Sequence, residues 1–117
     1  MQNRSFADLA KLLKKFSDER DWEQFHYPKN LAMALTVEAA ELLEHFQWMT
    51  ENESEKLSAE KLQQIQEEIG DVLIYLTRFA DRLGIDALEA AYQKLEINRV
   101  KYPIEKARGS AKKYTEL

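Results

Sequence analysis

The 117 residues contain no cysteine, three glycines and two prolines. Without cysteine there is no disulfide, no zinc thiolate site and no thiol nucleophile, and a small secreted scaffold loses the staples it depends on. So little glycine and proline leaves too few turns for a sandwich or barrel of many short strands. Long apolar runs are missing as well: Leu31–Leu35 and Val72–Leu76 reach five residues each, against the roughly 20 that a membrane span requires. The opening residues Met1–Asp8 hold no apolar signal core. The expectation is a cytoplasmic protein with no membrane partner. Nor is there an excess of positive charge: 17 bases against 21 acids give a net charge of −4, so no nucleic-acid partner is expected.

What is abundant favours helix. Charged residues make up 32% of the chain, and Glu, Lys, Ala, Leu and Gln recur throughout. Ser5 and Asp8 form a capping box ahead of Phe6, Leu9, Leu12, Leu13 and Phe16, predicting a first helix to about Arg20. The stretch 22–29 breaks that period and reads as a loop rich in rings. Asn30 is placed as the cap of a second helix carrying Leu31, Leu35, Leu42, Phe46 and Met49, ended by the polar stretch Thr50–Lys56. Ser58 opens a third helix whose apolar face runs Leu62, Ile65, Ile69, Val72, Leu73, Leu76, Phe79 and Leu83, with Gly84 as its stop. Asp86 and Glu89 box the start of a fourth, to about Tyr102 before Pro103. Residues 104–117 read as an irregular basic tail. Four amphipathic helices imply an all-α four-helix bundle, a single domain over residues 1–117.

Four carboxylates stand out. Glu38 and Glu41 lie three apart on the second helix, and Glu68 and Asp71 repeat the spacing on the third. None meets a Lys or Arg three or four residues away, whereas the acids of an ordinary surface helix usually do. They are either solvated acidic faces or a metal site. Oxygen donors without His or Cys suit a hard cation, Mg²⁺ or Mn²⁺, which usually binds through substrate phosphates as well. A di-iron bundle needs Glu-x-x-His on two helices, but His45 follows Glu41 by four and the third helix has no His. Gly70, between Glu68 and Asp71, costs about 1 kcal/mol relative to Ala inside a helix. It serves either close helix packing or room beside the metal.

Rings and bases surround these acids in sequence. Trp48 follows Glu41 by seven and Tyr75 follows Glu68 by seven, two helical turns on the same face. With antiparallel helices the two rings fall at opposite ends of the acids, which predicts a site shared between subunits. Trp22, Phe25, His26 and Tyr27 form a loop cluster, of which Trp22 and His26 suit a flat base by stacking and hydrogen bonding. Lys94 and Asn98 lie one turn apart on the fourth helix, and residues 94–117 carry seven bases against three acids. That basic end either neutralises phosphates, binds RNA or solubilises the chain.

Glu38-x-x-Glu41 followed by Glu68-x-x-Asp71 resembles the signature of the MazG-type all-α nucleoside triphosphate pyrophosphohydrolases. The segments Glu19–His26, Phe46–Trp48, Asp71–Leu76, Ile97–Arg99 and Lys112–Leu117 resemble their dCTP pyrophosphatase-like branch, over nearly the whole chain. The resemblance implies Mg²⁺-dependent hydrolysis of a (deoxy)nucleoside triphosphate, dCTP foremost, to the monophosphate and pyrophosphate in a homotetramer, a dimer of dimers. It also implies that Glu38, Glu41, Glu68 and Asp71 hold the metal and that Trp22, His26, Trp48 and Tyr75 contact the nucleotide. Lys94 and Asn98 would then lie near phosphates or sugar. Two departures bear on the base: Leu13 stands where relatives carry a substrate-facing His, and Gly70 where Ser is frequent. In the expected chemistry water attacks the α-phosphorus and Glu38 or Glu41 takes its proton. Two alternatives keep their place: a house-cleaning enzyme acting on several or modified nucleotides, and a helical oligomerisation or RNA-binding module.

Overall fold

In the computed structural model, which describes residues 4–117, Ser5 opens α1 (Phe6–Glu19) by accepting the Asp8 N–H at 3.1 Å. The helix ends in a Schellman motif: the Trp22 N–H reaches the Ser17 carbonyl at 2.9 Å and the Asp21 N–H that of Asp18 at 3.2 Å. Asp21 supplies the left-handed residue, φ 55°, a conformation a short polar side chain tolerates. A single 3₁₀ turn, Glu23–Phe25, follows.

Helix α2 (Pro28–Glu44) begins two residues before the expected Asn30 cap. Pro28 takes the first turn, where its missing N–H costs nothing, and Asn30 instead donates back to the Phe25 carbonyl at 3.1 Å. The helix also stops at Glu44, so Phe46 and Trp48 lie beyond it on turns and Met49 past those. The polar stretch after them is more than a stop. Thr50 and Glu53 form a reciprocal capping box for the short α3 (Glu51–Ser54). Ser58 then caps α4 (Ala59–Arg82), which closes in a second Schellman motif with Gly84 at φ 68°.

Contacts divide the chain into Met1–Ile85 and Asp86–Leu117. In the first unit α4 is the centre, with α2 packed along it and α1 against it. The direction of the α2 pairing follows from its side chains. His26 meets Arg78, the acids of Glu38 and Glu41 meet Glu68, and His45 meets Lys61, so the two helices run antiparallel. Leu31, Ile65 and Ala80 form the buried apolar core of the described residues. The expected apolar face of α4 is split: Ile65 is buried and Val72, Leu73 and Phe79 half-buried, but Leu62, Ile69, Leu76 and Leu83 stay exposed at a seven-residue spacing.

In the second unit Asp86 caps α5 (Ala87–Lys101) through the Glu89 N–H at 3.0 Å. The tail is more ordered than expected. It holds α6 (Ile104–Ala107) and a 3₁₀ turn, Tyr114–Glu116, whose Tyr114 ring meets Tyr102 edge-on at 6.0 Å. The described residues contain only helices, turns and loops, and none of their helices is long and apolar enough to cross a membrane.

A Cβ added at Gly70 meets nothing within 4 Å, so close packing against a neighbouring helix of the chain does not explain this glycine. Gly70→Ala should therefore stabilise the chain by about 0.5–1 kcal/mol, the helix-propensity difference. Denaturant unfolding checks it, and a loss of stability would place another group against this position.

Candidate active site

One carboxylate oxygen from each of Glu38, Glu41 and Glu68 lies within 4.8 Å of the others. Glu38 and Glu41 sit one turn apart on α2, and the antiparallel register brings Glu68 of α4 opposite them. All three are half-buried. Asp71, one turn further along α4, is exposed and outside that close group, but its charge reaches both Glu38 and Glu68. Neither Lys nor Arg pairs with any of the four among the described residues. His45 does approach them: its Nε2 is 3.8 Å from Glu68 Oε1. Lys61 Nζ faces the other ring nitrogen, Nδ1, at 3.2 Å. Lysine only donates, so Nδ1 accepts and Nε2 carries its hydrogen towards Glu68.

The electrostatic cost is visible in the acids themselves. Burial pushes the Glu38 carboxyl up to about 7, helped by the hydrogen bond its protonated form donates to Glu41 and by the charges of Glu41, Asp71 and Glu68. Burial raises Glu68 too, with the Glu41 and Asp71 charges behind it and His45 opposing. Glu38 Oε2 and Glu68 Oε2 are buried with no hydrogen-bond partner in the protein. Unpartnered buried carboxylate oxygens are expensive, and a cation shared among these acids removes both the missing partner and the repulsion. The donor set is all oxygen, which suits Mg²⁺ or Mn²⁺.

The ring loop is built on the end of α1. The Schellman motif sets Trp22 between Phe16, edge-on at 5.7 Å, and His26, edge-on at 6.2 Å. Glu23 ties this loop to α4: it accepts from Arg78 Nη2 and, at 2.7 Å, from Arg82 Nη1. Arg78 is buried and also reaches Asp81 at 3.5 Å. His26 Nδ1 lies 3.5 Å from both Arg78 Nη2 and the buried Ser17 hydroxyl. Burial and the Arg78 charge lower the His26 pKa against a smaller opposing pull from Glu23.

Register places Trp22 and His26 at the end of α4 where Arg78 lies, one turn from the half-buried Tyr75. Trp48 departs from the expected place. It is not two helical turns along α2 but beyond the end of that helix, on a turn and 89% exposed. It still falls towards the opposite end of the acids from Tyr75. Lys94, exposed, and Asn98, half-buried, lie on α5 in the second unit. Sequence spacing does not single out Ser17, Glu23, Arg78 or Arg82, and it brings up His45 only to exclude a di-iron ligand set. A lone Glu inside a ring-rich loop was the available signal for Glu23.

Folding favours the protonated form of Glu38, because its pKa rises from 4.5 to about 7. That stabilisation is complete below the unfolded value and is lost as pH rises through the folded one. Cation-free protein should therefore melt at falling temperature from about pH 5 to about pH 8, and added Mg²⁺ should reverse the fall at the high end. Glu38→Gln should flatten the profile. A flat wild-type profile would mean that the acids are solvated.

Residues 33–117 match the MazG-like family. The dCTP pyrophosphatase 1 of Homo sapiens is 47% identical over 115 residues, covering 97% of this chain and 68% of the relative. That of Mus musculus is 45% identical with the same coverage. Among solved structures, a pyrophosphatase from Archaeoglobus fulgidus superimposes with a TM-score of 0.80 at 39% identity, covering 88% of this chain and 96% of that one. On the profile match, the identity to these relatives and the shared all-α architecture, the chain belongs to the MazG-like family.

Proposed function

We propose that this protein is a nucleoside triphosphate pyrophosphohydrolase that cleaves dCTP to the monophosphate and pyrophosphate. The observation that carries this reading is the convergence of Glu38, Glu41 and Glu68 with two buried carboxylate oxygens left unpartnered. The relatives named dCTP pyrophosphatase 1 supply the substrate. Residues 1–117 act as one domain in this reading, with the basic stretch from about residue 104 as its tail, in the cytoplasm and without a nucleic-acid partner.

Glu38, Glu41, Glu68 and Asp71 hold Mg²⁺, with Mn²⁺ as a substitute. The bound ion supplies charge neutralisation and orientation of the phosphates. Glu38 or Glu41 accepts a proton from the water whose oxygen bonds to the α-phosphorus. The bond from that phosphorus to the α,β-bridging oxygen breaks, and the oxygen leaves with pyrophosphate. Trp22, His26 and Tyr75 take the base at one end of the acids, and Lys94 and Asn98 take phosphate or sugar.

Trp48 requires a second subunit. Its exposure and its place past the far end of the acids keep it from closing on the same base within one chain. The exposed row Leu62, Ile69, Leu76 and Leu83 offers an apolar face for that association. We assign a homotetramer, a dimer of dimers, with Trp48 completing a neighbour's site. Light scattering should find the tetramer, and a fully active monomer would overturn the shared site.

Chromatography of products from the eight common NTPs and dNTPs, with Mg²⁺ and an EDTA control, tests the reaction. The expected result is EDTA-sensitive release of dCMP and pyrophosphate from dCTP above the rest. Even turnover across substrates would assign general clearance, and no product would remove the metal reading. Glu41→Ala and Asp71→Ala should each lower kcat by about 100-fold or more, as losing one electrostatic stabiliser does, with the helical circular dichroism kept.

A further inference from the structure

Outside the acids, polar groups gather around His26. Two side chains converge on its Nδ1, Ser17 from α1 and Arg78 from α4, and Arg78 is held in turn by Glu23 of the ring loop. The two contacts to Nδ1 are long, 3.5 Å each, but their polarity is not symmetric. A serine hydroxyl donates or accepts, whereas a guanidinium has no acceptor. An N–H at Nδ1 would set donor against donor beside Arg78. Arg78 is not free to turn away, since Glu23 holds its Nη2, Asp81 faces its Nη1, and its side chain is 3% exposed. Arg82 shares the Glu23 carboxylate and helps to hold it in place.

We infer that Arg78, held by Glu23, is a positioning residue that fixes His26 as the Nε2–H tautomer and so makes its outer edge a hydrogen-bond donor to the substrate base. This rests on the reading that the ring loop faces the nucleotide. Nε2 has no hydrogen-bond partner among the described residues, and the imidazole stands edge-on to the indole of Trp22. A base that stacks on Trp22 must then offer an acceptor to this edge. An unprotonated ring nitrogen or a carbonyl, as on the N3 and O2 side of cytosine, satisfies it. A base edge that leads with an N–H does not. The charged groups facing the imidazole are Arg78 and Arg82 from α4 and Glu23 from the loop. Protonation would add a hydrogen at Nδ1, against Arg78, so the ring stays neutral.

Long-range ¹H–¹⁵N spectra of the full chain labelled at histidine test this directly, because the chain has two histidines and His45→Gln assigns them. The expected spectrum at neutral pH shows His26 protonated at Nε2 alone, with that N–H shifting when α,β-methylene dCTP binds. Protonation at Nδ1, or a charged ring, overturns the proposal whatever the nucleotide does. An Nε2–H that does not respond while the analogue binds overturns its role as a base donor. No binding of the analogue would sink the nucleotide reading instead, and the tautomer would still be decided by the same spectra. Arg78→Leu should mix the tautomers and raise the imidazole pKa. It should also raise KM for dCTP about tenfold, the scale of one lost hydrogen bond, with kcat within about threefold. Arg78→Lys, which still only donates, should restore tautomer and KM. An Arg78→Leu protein with the wild-type tautomer and KM would remove Arg78 from this role, and the wild-type spectrum decides the tautomer if that variant does not fold.

Discussion

Three carboxylates held within 4.8 Å of one another, across two packed helices and without a base among them, impose the constraint around which the first unit is arranged. Like charges at this distance repel, and their partial burial removes the water that would screen them. Something else must hold α2 against α4. Part of it is the burial of Leu31 on α2 and of Ile65 on α4. The rest is polar and lies at the two ends: Glu23 with Arg78 and Arg82 at one, His45 with Lys61 at the other. The molecule therefore places its positive charge beyond the acids and leaves the centre negative, the arrangement that draws in a cation.

The two histidines use one device. Each has its Nδ1 turned towards a residue that only donates, Lys61 for His45 and Arg78 for His26, which leaves the hydrogen on the other nitrogen. His45 thereby directs an N–H at Glu68, a residue of the proposed metal site, and His26 keeps one at Nε2 that has no partner among the described residues. In both cases a cation on α4 determines which ring nitrogen is the donor. Arg78 and Lys61 thus act through a neighbour, which is why neither is recognisable as a functional residue from its own surroundings in the chain.

Local structure was largely legible from residue order. Ser5, Ser58, Asp86 and Gly84 mark helix ends where they do because caps depend on residues three or four apart. The missed boundaries also have local causes: Pro28 is pre-set for the first turn of a helix and took the start from Asn30, and the turns after Glu44 removed Phe46 and Trp48 from α2. The pairing of two acidic motifs was legible because unpaired acids at helical spacing are anomalous. What was not legible is contact between distant elements. Glu23 and Arg78 are 55 residues apart, and no periodicity links a loop acid to a base near the end of a distant helix. The split face of α4 was hidden for the same reason, since an apolar stripe does not say which of its rows another helix covers.

The ring loop is tied at each step. It leaves α1 through a Schellman motif at Asp21, is held midway by Glu23, and is fastened at its far end where Asn30 grips the Phe25 carbonyl and Pro28 stiffens the entry to α2. A segment so fastened has little freedom left to lose when a ligand arrives. Ordering a side chain on binding typically costs about 0.5–1.5 kcal/mol, and here folding has already met that cost for Trp22 and His26. The recognition surface is thus preorganised: a planar ligand meets rings already in place, and discrimination rests on how well its edge matches theirs rather than on its ability to shape the loop.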